Sequence, residues 1–83
     1  MKLLYFAWVR QKVGKSEEDL ALPANVATVR DLARHLCALG PGHSEAFADL
    51  SRLRAAVNQE HVGFDTRIGD GDEIAFFPPV TGG

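Results

Sequence analysis

The sequence predicts an α+β domain in which a mixed sheet of four to five strands carries one main helix on one face, together with a short second helix. Apolar, strand-like segments stand near both ends of the chain, at residues 3–9 and 73–77. A stretch with helical periodicity lies between them. Because the apolar stripe of such a helix must be buried, a sheet that includes both terminal segments is the simplest surface for it.

The first strand is predicted over residues 3–9, which are rich in aromatic and branched side chains. A turn centred on Gly14 and a weaker strand over residues 17–22 follow it, and so short a connection favours an antiparallel hairpin. Both faces of the first strand are largely apolar, which is typical of a central strand. Alternation assigns one face to Leu3, Tyr5, Ala7 and Val9 and the other to Lys2, Leu4, Phe6 and Trp8.

The main helix is predicted to begin at Thr28, whose hydroxyl can cap the first turn while Asp31 stands at the third helical position. Gly40 followed by Pro41 predicts its end. A short second helix capped by a serine is predicted over residues 44–50. The apolar stripe of the main helix consists of Val29, Leu32, Ala33, Leu36, Cys37 and Leu39.

The second half of the chain contains the remaining strands. They are predicted over residues 53–57 and 73–77, with a brief additional strand at 61–62. Asn58-Gln59 and the segment 64–72 are predicted turns. There is no internal repeat, so the division expected is a domain over residues 1–77 and an extended tail over residues 78–83.

The last strand presents two different faces. Ile74 and Phe76 are the bulkier pair and are predicted to face the helix, which leaves Ala75 and Phe77 outward. If the terminal strands are neighbours, Phe77 lies near Phe6. An exposed aromatic patch of this kind usually marks a protein interface.

Composition excludes several classes of protein. The chain has 83 residues, 46% hydrophobic and 24% charged, which is typical of one small globular domain. A net charge of −2 with dispersed basic residues argues against nucleic-acid binding. No apolar stretch approaches the length of a membrane span, and no signal peptide is expected. The single cysteine is consistent with a reducing, cytoplasmic location.

The last six residues form an unusual tail. Pro78 and Pro79 cannot donate to a sheet ladder and favour an extended conformation. From Pro78 to Gly83 the chain can reach about 20 Å. Gly82 and Gly83 carry no side chain and can enter a narrow channel, at whose end the carboxylate of Gly83 would arrive. On the dipeptide alone a frayed terminus is the simpler interpretation, but the stiff spacer after an aromatic strand favours a functional tail.

Other reactive groups have simpler explanations. Cys37 lies on the apolar stripe, where free cysteine behaves as a small hydrophobe. The three histidines, His35, His43 and His61, lack metal-ligand spacing and are interpreted as surface or loop residues. Asp70-Gly71-Asp72 is typical of a turn, and residues 17–19 of a solvated strand end. No metal or bound cofactor is expected.

The segments 55–59 (Ala-Ala-Val-Asn-Gln) and 70–83 (Asp-Gly-Asp-Glu-Ile-Ala-Phe-Phe-Pro-Pro-Val-Thr-Gly-Gly) resemble the small subunits of molybdopterin synthases. Phe6-Ala7-Trp8-Val9-Arg10 also fits that family, so the resemblance covers the whole chain. It implies the β-grasp, or ubiquitin-like, fold and the function of a sulfur carrier.

The resemblance also implies a reaction and partners. An activating enzyme related to those of ubiquitin conjugation would adenylate the Gly83 carboxylate with ATP, and a sulfurtransferase would supply the sulfur of a thiocarboxylate. The large subunit would supply the catalytic residues for sulfur transfer to cyclic pyranopterin monophosphate. The partner-binding residues expected from the aromatic patch and from the tail are Phe6, Phe77, Pro78, Pro79, Val80 and Thr81, with Gly82 and Gly83 at the reacting end.

Two alternatives share the same activation chemistry. A sulfur carrier for thiamin thiazole synthesis has the same fold and terminal glycines, although that family lacks the Phe-Phe-Pro-Pro-Val spacer. A ubiquitin-like modifier would be joined to lysines through Gly83. An interaction module with an inert tail, a third and unrelated class, would tolerate loss of Gly83. The acceptor of the activated carboxyl group distinguishes the molybdopterin carrier, the thiazole carrier and the protein modifier from one another.

Overall fold

The fold was analysed in a computed structural model that describes residues 1–79. Its elements, in chain order, are β1 (Lys2–Tyr5), α1 (Ala7–Val13), β2 (Glu17–Asp19), α2 (Val29–Cys37), α3 (Pro41–Phe47), a single 3-10 turn (Leu50–Arg52), β3 (Arg54–Val57), β4 (Glu60–Val62) and β5 (Glu73–Phe77).

The five strands form one mixed sheet of order β2-β1-β5-β3-β4. The first and last strands are parallel neighbours, with Tyr5 opposite Phe76, and the other pairs are antiparallel. The helices cover one face. This is the β-grasp arrangement, so the predicted α+β class, the adjacency of the terminal strands and the antiparallel pairing of β1 with β2 are confirmed. The short connection predicted between those two strands was wrong, because helix α1 lies within it.

The prediction for residues 6–9 was wrong, because β1 ends at Tyr5 and the chain turns into helix α1. Ala7 adopts the left-handed region (φ 54°) and redirects the backbone. The helix ends at Gly14, whose φ of 90° is easily reached without a Cβ and whose N–H bonds to the Arg10 carbonyl at 2.8 Å. Strand β2 is also shorter than predicted and ends at Asp19.

Helix α2 begins as predicted. The Thr28 hydroxyl accepts from the N–H of Asp31 at 3.2 Å, and the Asp31 carboxylate accepts from the N–H of Thr28 at 3.2 Å. The helix ends at Cys37, before the glycine-proline signal, so the assignment of Leu39 to the buried stripe was wrong and this side chain is 46% exposed. Pro41 instead begins α3, three residues earlier than the predicted start, because proline is favoured in the first helical turn.

The core lies between the helices and the inner face of the sheet. Ile74 and Phe76 are fully buried there, as predicted from the alternation of β5. The ring of Phe47 from α3 meets that of Phe76 edge-to-face at 4.9 Å between centroids. Cys37 is half-buried and packs against this core, which agrees with its interpretation as a small apolar residue.

Helices α1 and α3 approach so closely that no side chain fits at their crossing. A Cβ added at Gly42 would collide with the backbone carbonyl of Lys12. The glycine therefore sets how near α3 can lie to α1, and it brings His43, the next residue, over the edge of β1 and β2.

A polar cluster fastens α3 to this edge of the sheet. The Glu18 carboxylate accepts from the Tyr5 hydroxyl at 2.6 Å and contacts Nε2 of His43 at 2.8 Å. Glu18 lies opposite Leu3 in the β1–β2 register and therefore faces inward, so its interpretation as part of a solvated strand end was wrong. Burial by itself raises the pKa of Glu18, but the hydrogen bonds from Tyr5 and His43 and the charge of Lys15 outweigh it and lower the pKa.

We expect Glu18→Gln to lower the free energy of unfolding at pH 7 by about 1 kcal/mol, because a charge-assisted acceptor is lost. Glu17→Gln is the matched control, since Glu17 makes only an exposed ion pair with Lys2. Because the pKa of Glu18 is lower in the folded protein than in the unfolded chain, its carboxylate stabilises the fold at pH values above the unfolded-state pKa, about 4.3. This contribution disappears as the pH falls through the folded-state pKa. The difference between parent and Glu18→Gln should therefore shrink in acid.

Urea unfolding at pH 7 and at pH 3 measures both effects. Equal losses for the two substitutions, or a Glu18→Gln effect that does not change with pH, would contradict the assigned role of this carboxylate.

Candidate functional site

The outer face of the sheet, opposite the helices, carries an apolar groove. In the register of the three central strands, Leu4 of β1 and Ala56 of β3 both lie beside Ala75 of β5. The two alanine side chains are too small to fill the space between their larger neighbours, and they form the shallow floor of the groove. This outer groove has a volume of about 450 Å³ and is lined by Leu4, Phe6, Ala56, Gln59, His61, Glu73, Ala75 and Phe77.

Phe6 forms one rim of the outer groove. It is the last extended residue before α1 (φ −125°, ψ 154°), and its N–H bonds to the carbonyl of Phe76 at 3.1 Å. This bond continues the parallel ladder one residue past β1, and the left-handed turn at Ala7 follows at once. The ring of Phe6 is held at the surface with 48% of its area exposed.

Phe77 lies beside Phe6 on the same outward face, one step past the pairing of Tyr5 with Phe76, at the point where β5 ends. Its outward ring is half-buried and lies 5.1 Å from the imidazole of His61, with 46° between the ring planes. Pro78 follows directly and cannot donate to a further ladder bond. The aromatic groove and the exit of the tail are therefore one continuous surface.

The structure brings Phe6 and Phe77 to the same groove, with Phe77 outward as the alternation of β5 predicted. Pro78 and Pro79 are half-buried and continue from it. Their role in partner binding stays a prediction. The remaining predicted site residues, Val80, Thr81, Gly82 and Gly83, lie outside the described residues.

Of the eight residues that line the outer groove, sequence reasoning assigned only Phe6 and Phe77 to a site and missed the other six, among them Leu4, Ala56 and His61. Leu4 was placed on the correct face but was not assigned to a site. Ala56 was seen only as part of a strand, and His61 was interpreted as a surface or loop residue. The signal was available in the turn at Asn58-Gln59, which pairs Ala56 with His61 across the β3–β4 hairpin and puts both on the outer face.

The other candidate groups have structural roles. Asp72 accepts from the N–H of Gly69 at 2.8 Å and from the amide of Asn58 at 3.0 Å, and these bonds lower its pKa. Asp70 accepts from the N–H of Leu22 at 2.8 Å and so connects this turn to the segment after β2; the predicted turn at Asp70-Gly71-Asp72 is confirmed. The thiol of Cys37 lies 3.9 Å from the carbonyl oxygen of Ser44, away from the outer groove.

The described part of the chain holds neither a cluster of metal ligands nor a membrane-spanning helix. Within residues 1–79 no three His, Cys, Asp or Glu side chains are grouped so that they could hold a metal ion. None of the helices in the same range has the length and apolar character needed to cross a membrane.

The fold and its outer groove define a ubiquitin-like, β-grasp protein whose chain leaves the sheet beside an aromatic surface. The model of the ThiS family matches residues 3–83, and the chain belongs to that family. The resemblance to molybdopterin synthase small subunits noted from its motifs is confirmed by relatives that match the full chain.

One such relative is the molybdopterin synthase sulfur carrier subunit of Escherichia coli, with 47% identity over 83 residues, covering 100% of this chain and 99% of that protein. Among solved structures, a putative molybdopterin converting factor subunit 1 from Pyrococcus furiosus is 30% identical with a TM-score of 0.69, covering 95% of each chain. SAMP1 from Haloferax volcanii is 25% identical with a TM-score of 0.73, covering 100% of this chain and 98% of its own.

The two faces of β5 generate a prediction about folding. Phe77→Asp should leave the domain folded, because the ring already contacts solvent at the groove, whereas Phe76→Asp should unfold it, because an unpaired carboxylate would enter the core. Thermal unfolding monitored by circular dichroism checks both. A folded Phe76→Asp protein with an unfolded Phe77→Asp protein would reverse the assignment of the faces.

Proposed function

We propose that this chain is the sulfur carrier subunit of molybdopterin synthase and that the carboxyl group of Gly83 carries the sulfur. The observation that supports this most directly is the full-length identity of 47% with the Escherichia coli sulfur carrier subunit. The structure supports it independently, because an aromatic groove suited to a protein partner lies where the tail leaves the sheet.

The proposed reaction begins with activation of the tail. A terminal carboxylate has a pKa of about 3.3–3.7 and is ionised at neutral pH, so it can attack the α-phosphorus of ATP. Pyrophosphate leaves and an acyl adenylate forms on the activating adenylyltransferase. A sulfurtransferase then supplies sulfur at the oxidation level of sulfide, which bonds to the acyl carbon as the bond from that carbon to AMP breaks, so that AMP leaves and the thiocarboxylate forms.

The second half of the reaction takes place on the large subunit. The thiocarboxylate of Gly83 would donate its sulfur to cyclic pyranopterin monophosphate, and repetition would complete the dithiolene of molybdopterin. Catalytic side chains are proposed to come from the large subunit, and ATP is consumed by the activating enzyme. This chain would bind no cofactor of its own.

The carrier itself would contribute reach, fit and one acyl group. Pro78 and Pro79 favour an extended start of the tail, and six extended residues can reach about 20 Å, which would be enough to enter a partner's cleft. Gly82 and Gly83 can pass where a Cβ would clash. The body of the domain, through the outer groove, would set the position from which the tail enters.

The outer groove is proposed to bind both the large subunit and the activating enzyme. Phe77→Asp should therefore weaken both complexes by about tenfold or more, because a buried aromatic contact is replaced by a charge that must be desolvated. Calorimetric titration with the large subunit of the same organism measures the effect on one of them. A folded Phe77→Asp protein that binds like the parent would remove the outer groove from the interface.

Three changes test the tail. Deletion of Gly83, addition of one residue after it, and Gly82→Ala should each severely reduce thiocarboxylate-dependent turnover, because misplacing the reacting carbon by about 1 Å can cost on the order of a hundredfold in rate. Their melting temperatures should equal that of the parent, since the core is untouched. Full turnover by the extended chain would contradict a free-carboxylate mechanism.

Cys37→Ala is the matched control for sulfur chemistry. It should lower stability by about 1 kcal/mol through a small cavity while turnover persists. Loss of turnover by a folded Cys37→Ala protein would assign the sulfur to the thiol instead. Intact mass spectrometry of the native chain gives the direct observation, which is sulfur in place of one C-terminal oxygen.

The two alternatives differ in the acceptor, and one assay separates them. The thiocarboxylate form is offered in turn to the synthase large subunit with its pterin substrate, to a thiazole-forming partner, and to lysine-containing proteins with the activating enzyme. Sulfur transfer to the pterin alone supports the proposal. Transfer to a thiazole precursor or isopeptide formation supports the corresponding alternative.

A further inference from the structure

The end of β5, where the tail begins, is bridged by a contact between its two flanks. Trp8 follows β1 on one side of β5, and Arg52 precedes β3 on the other side. The guanidinium carbon of Arg52 lies 5.0 Å from the centroid of the Trp8 ring. Two strand spacings are about 10 Å, so this pair of long side chains reaches across the C-terminal end of β5.

Arg54 adds a second cation beside the same exit. It pairs with Phe77 in the β3–β5 register and shares its outward face. Its Nη1 donates to the carbonyl of Leu53 at 2.8 Å, which holds the guanidinium near the start of β3. Both arginines are exposed, and each is restrained by a contact within the domain.

Neither arginine forms an ion pair with any residue in the range 1–79. Hydrogen bonds from the hydroxyl and the N–H of Ser51, at 2.6 and 3.0 Å, are the main cause that lowers the pKa of Asp49, and the charge of Arg52 contributes least. The guanidinium of Arg52 stacks on Trp8 instead. The charges of both guanidinium groups are therefore available to an external partner.

The opposite end of the sheet carries carboxylates instead. Asp19 and Glu73 flank Lys2 in the first rung of the central ladder, and Asp72 precedes it. The sheet is thus polarised along β5, with acids where the strand begins and arginines where the tail leaves. A chain of net charge −2 would on the whole be repelled by an acidic protein. The arginines at the tail end would be attracted to it, so the polarity of the sheet would favour an approach with the tail towards the partner.

We infer that Arg52 and Arg54 form a cationic rim that docks against carboxylates at the mouth of the cleft in the synthase large subunit. This inference rests on the proposed function, since it concerns the same partner. Guanidinium groups are weakly hydrated and match carboxylates in two-point geometry, and the stacking on Trp8 reduces the entropy lost on binding. The rim continues the outer groove through Phe77, so one partner surface can cover both.

The test compares two charge reversals of equal size. Arg52→Glu/Arg54→Glu inverts the rim, and Arg34→Glu/Arg67→Glu makes the same change at exposed positions on α2 and on the loop paired with Thr28. Association with the large subunit of the same organism is measured by stopped flow at low and high salt. The rim variant should associate about tenfold more slowly than the control at low salt, and the difference should shrink as salt screens the charges.

The outcomes separate this inference from the proposed function. Equal association rates for rim and control variants, with the parent binding normally, would overturn the rim alone. Failure of the parent to bind the large subunit would contradict the proposed function, and the rim with it. If the rim reversal impairs folding, the neutral pair Arg52→Gln/Arg54→Gln replaces it, with a smaller slowing expected and no slowing overturning the inference.

Discussion

The parallel pairing of β1 with β5 is the constraint on which the rest of the structure depends. It joins the two ends of the chain at the centre of the sheet, and its last bond, from Phe6 to the carbonyl of Phe76, brings the two rim aromatics together. Pro78 ends the pairing from one strand, and the left-handed turn at Ala7 ends it from the other. The chain therefore leaves the sheet at a defined point, the C-terminal end of the central strand β5.

The same pairing separates the two faces of the sheet by chemistry. On the inner face, large residues such as Tyr5, Ile74 and Phe76 pack against the helices and stabilise a small core. On the outer face, Ala56 and Ala75 leave a depression between aromatics. Burying more apolar surface there would stabilise the isolated domain, but it would fill the groove that is proposed to bind a partner. Under the proposed function, some stability of the monomer is exchanged for an interface.

The sequence predicted correctly those features that depend only on residues close together in the chain. Thr28 and Asp31 satisfy each other within one helical turn, and the alternation of β5 separates Phe76 from Phe77 without reference to other segments. The strand predicted over residues 6–9 was wrong because apolar residues at both odd and even positions are typical of a central strand. The left-handed conformation at position 7 is adopted by an alanine, so no glycine in the sequence indicates a turn there. The prediction that Glu18 is solvated was wrong because its partners, Tyr5 and His43, lie 13 and 25 residues away in the sequence and contact it only in the folded chain.

The body of the domain must also supply the specificity of the proposed reaction. An activated glycine carboxyl group has the same chemistry whether its acceptor is a pterin, a thiazole precursor or a lysine, so Gly82 and Gly83 cannot choose among them. The choice would belong to the partner that receives the tail, and we propose that this partner recognises the surface around the exit. In this chain that surface consists of an aromatic groove on one side and two restrained arginines on the other. Selection therefore rests on residues outside the reacting end, where shape and charge differ from one ubiquitin-like protein to the next.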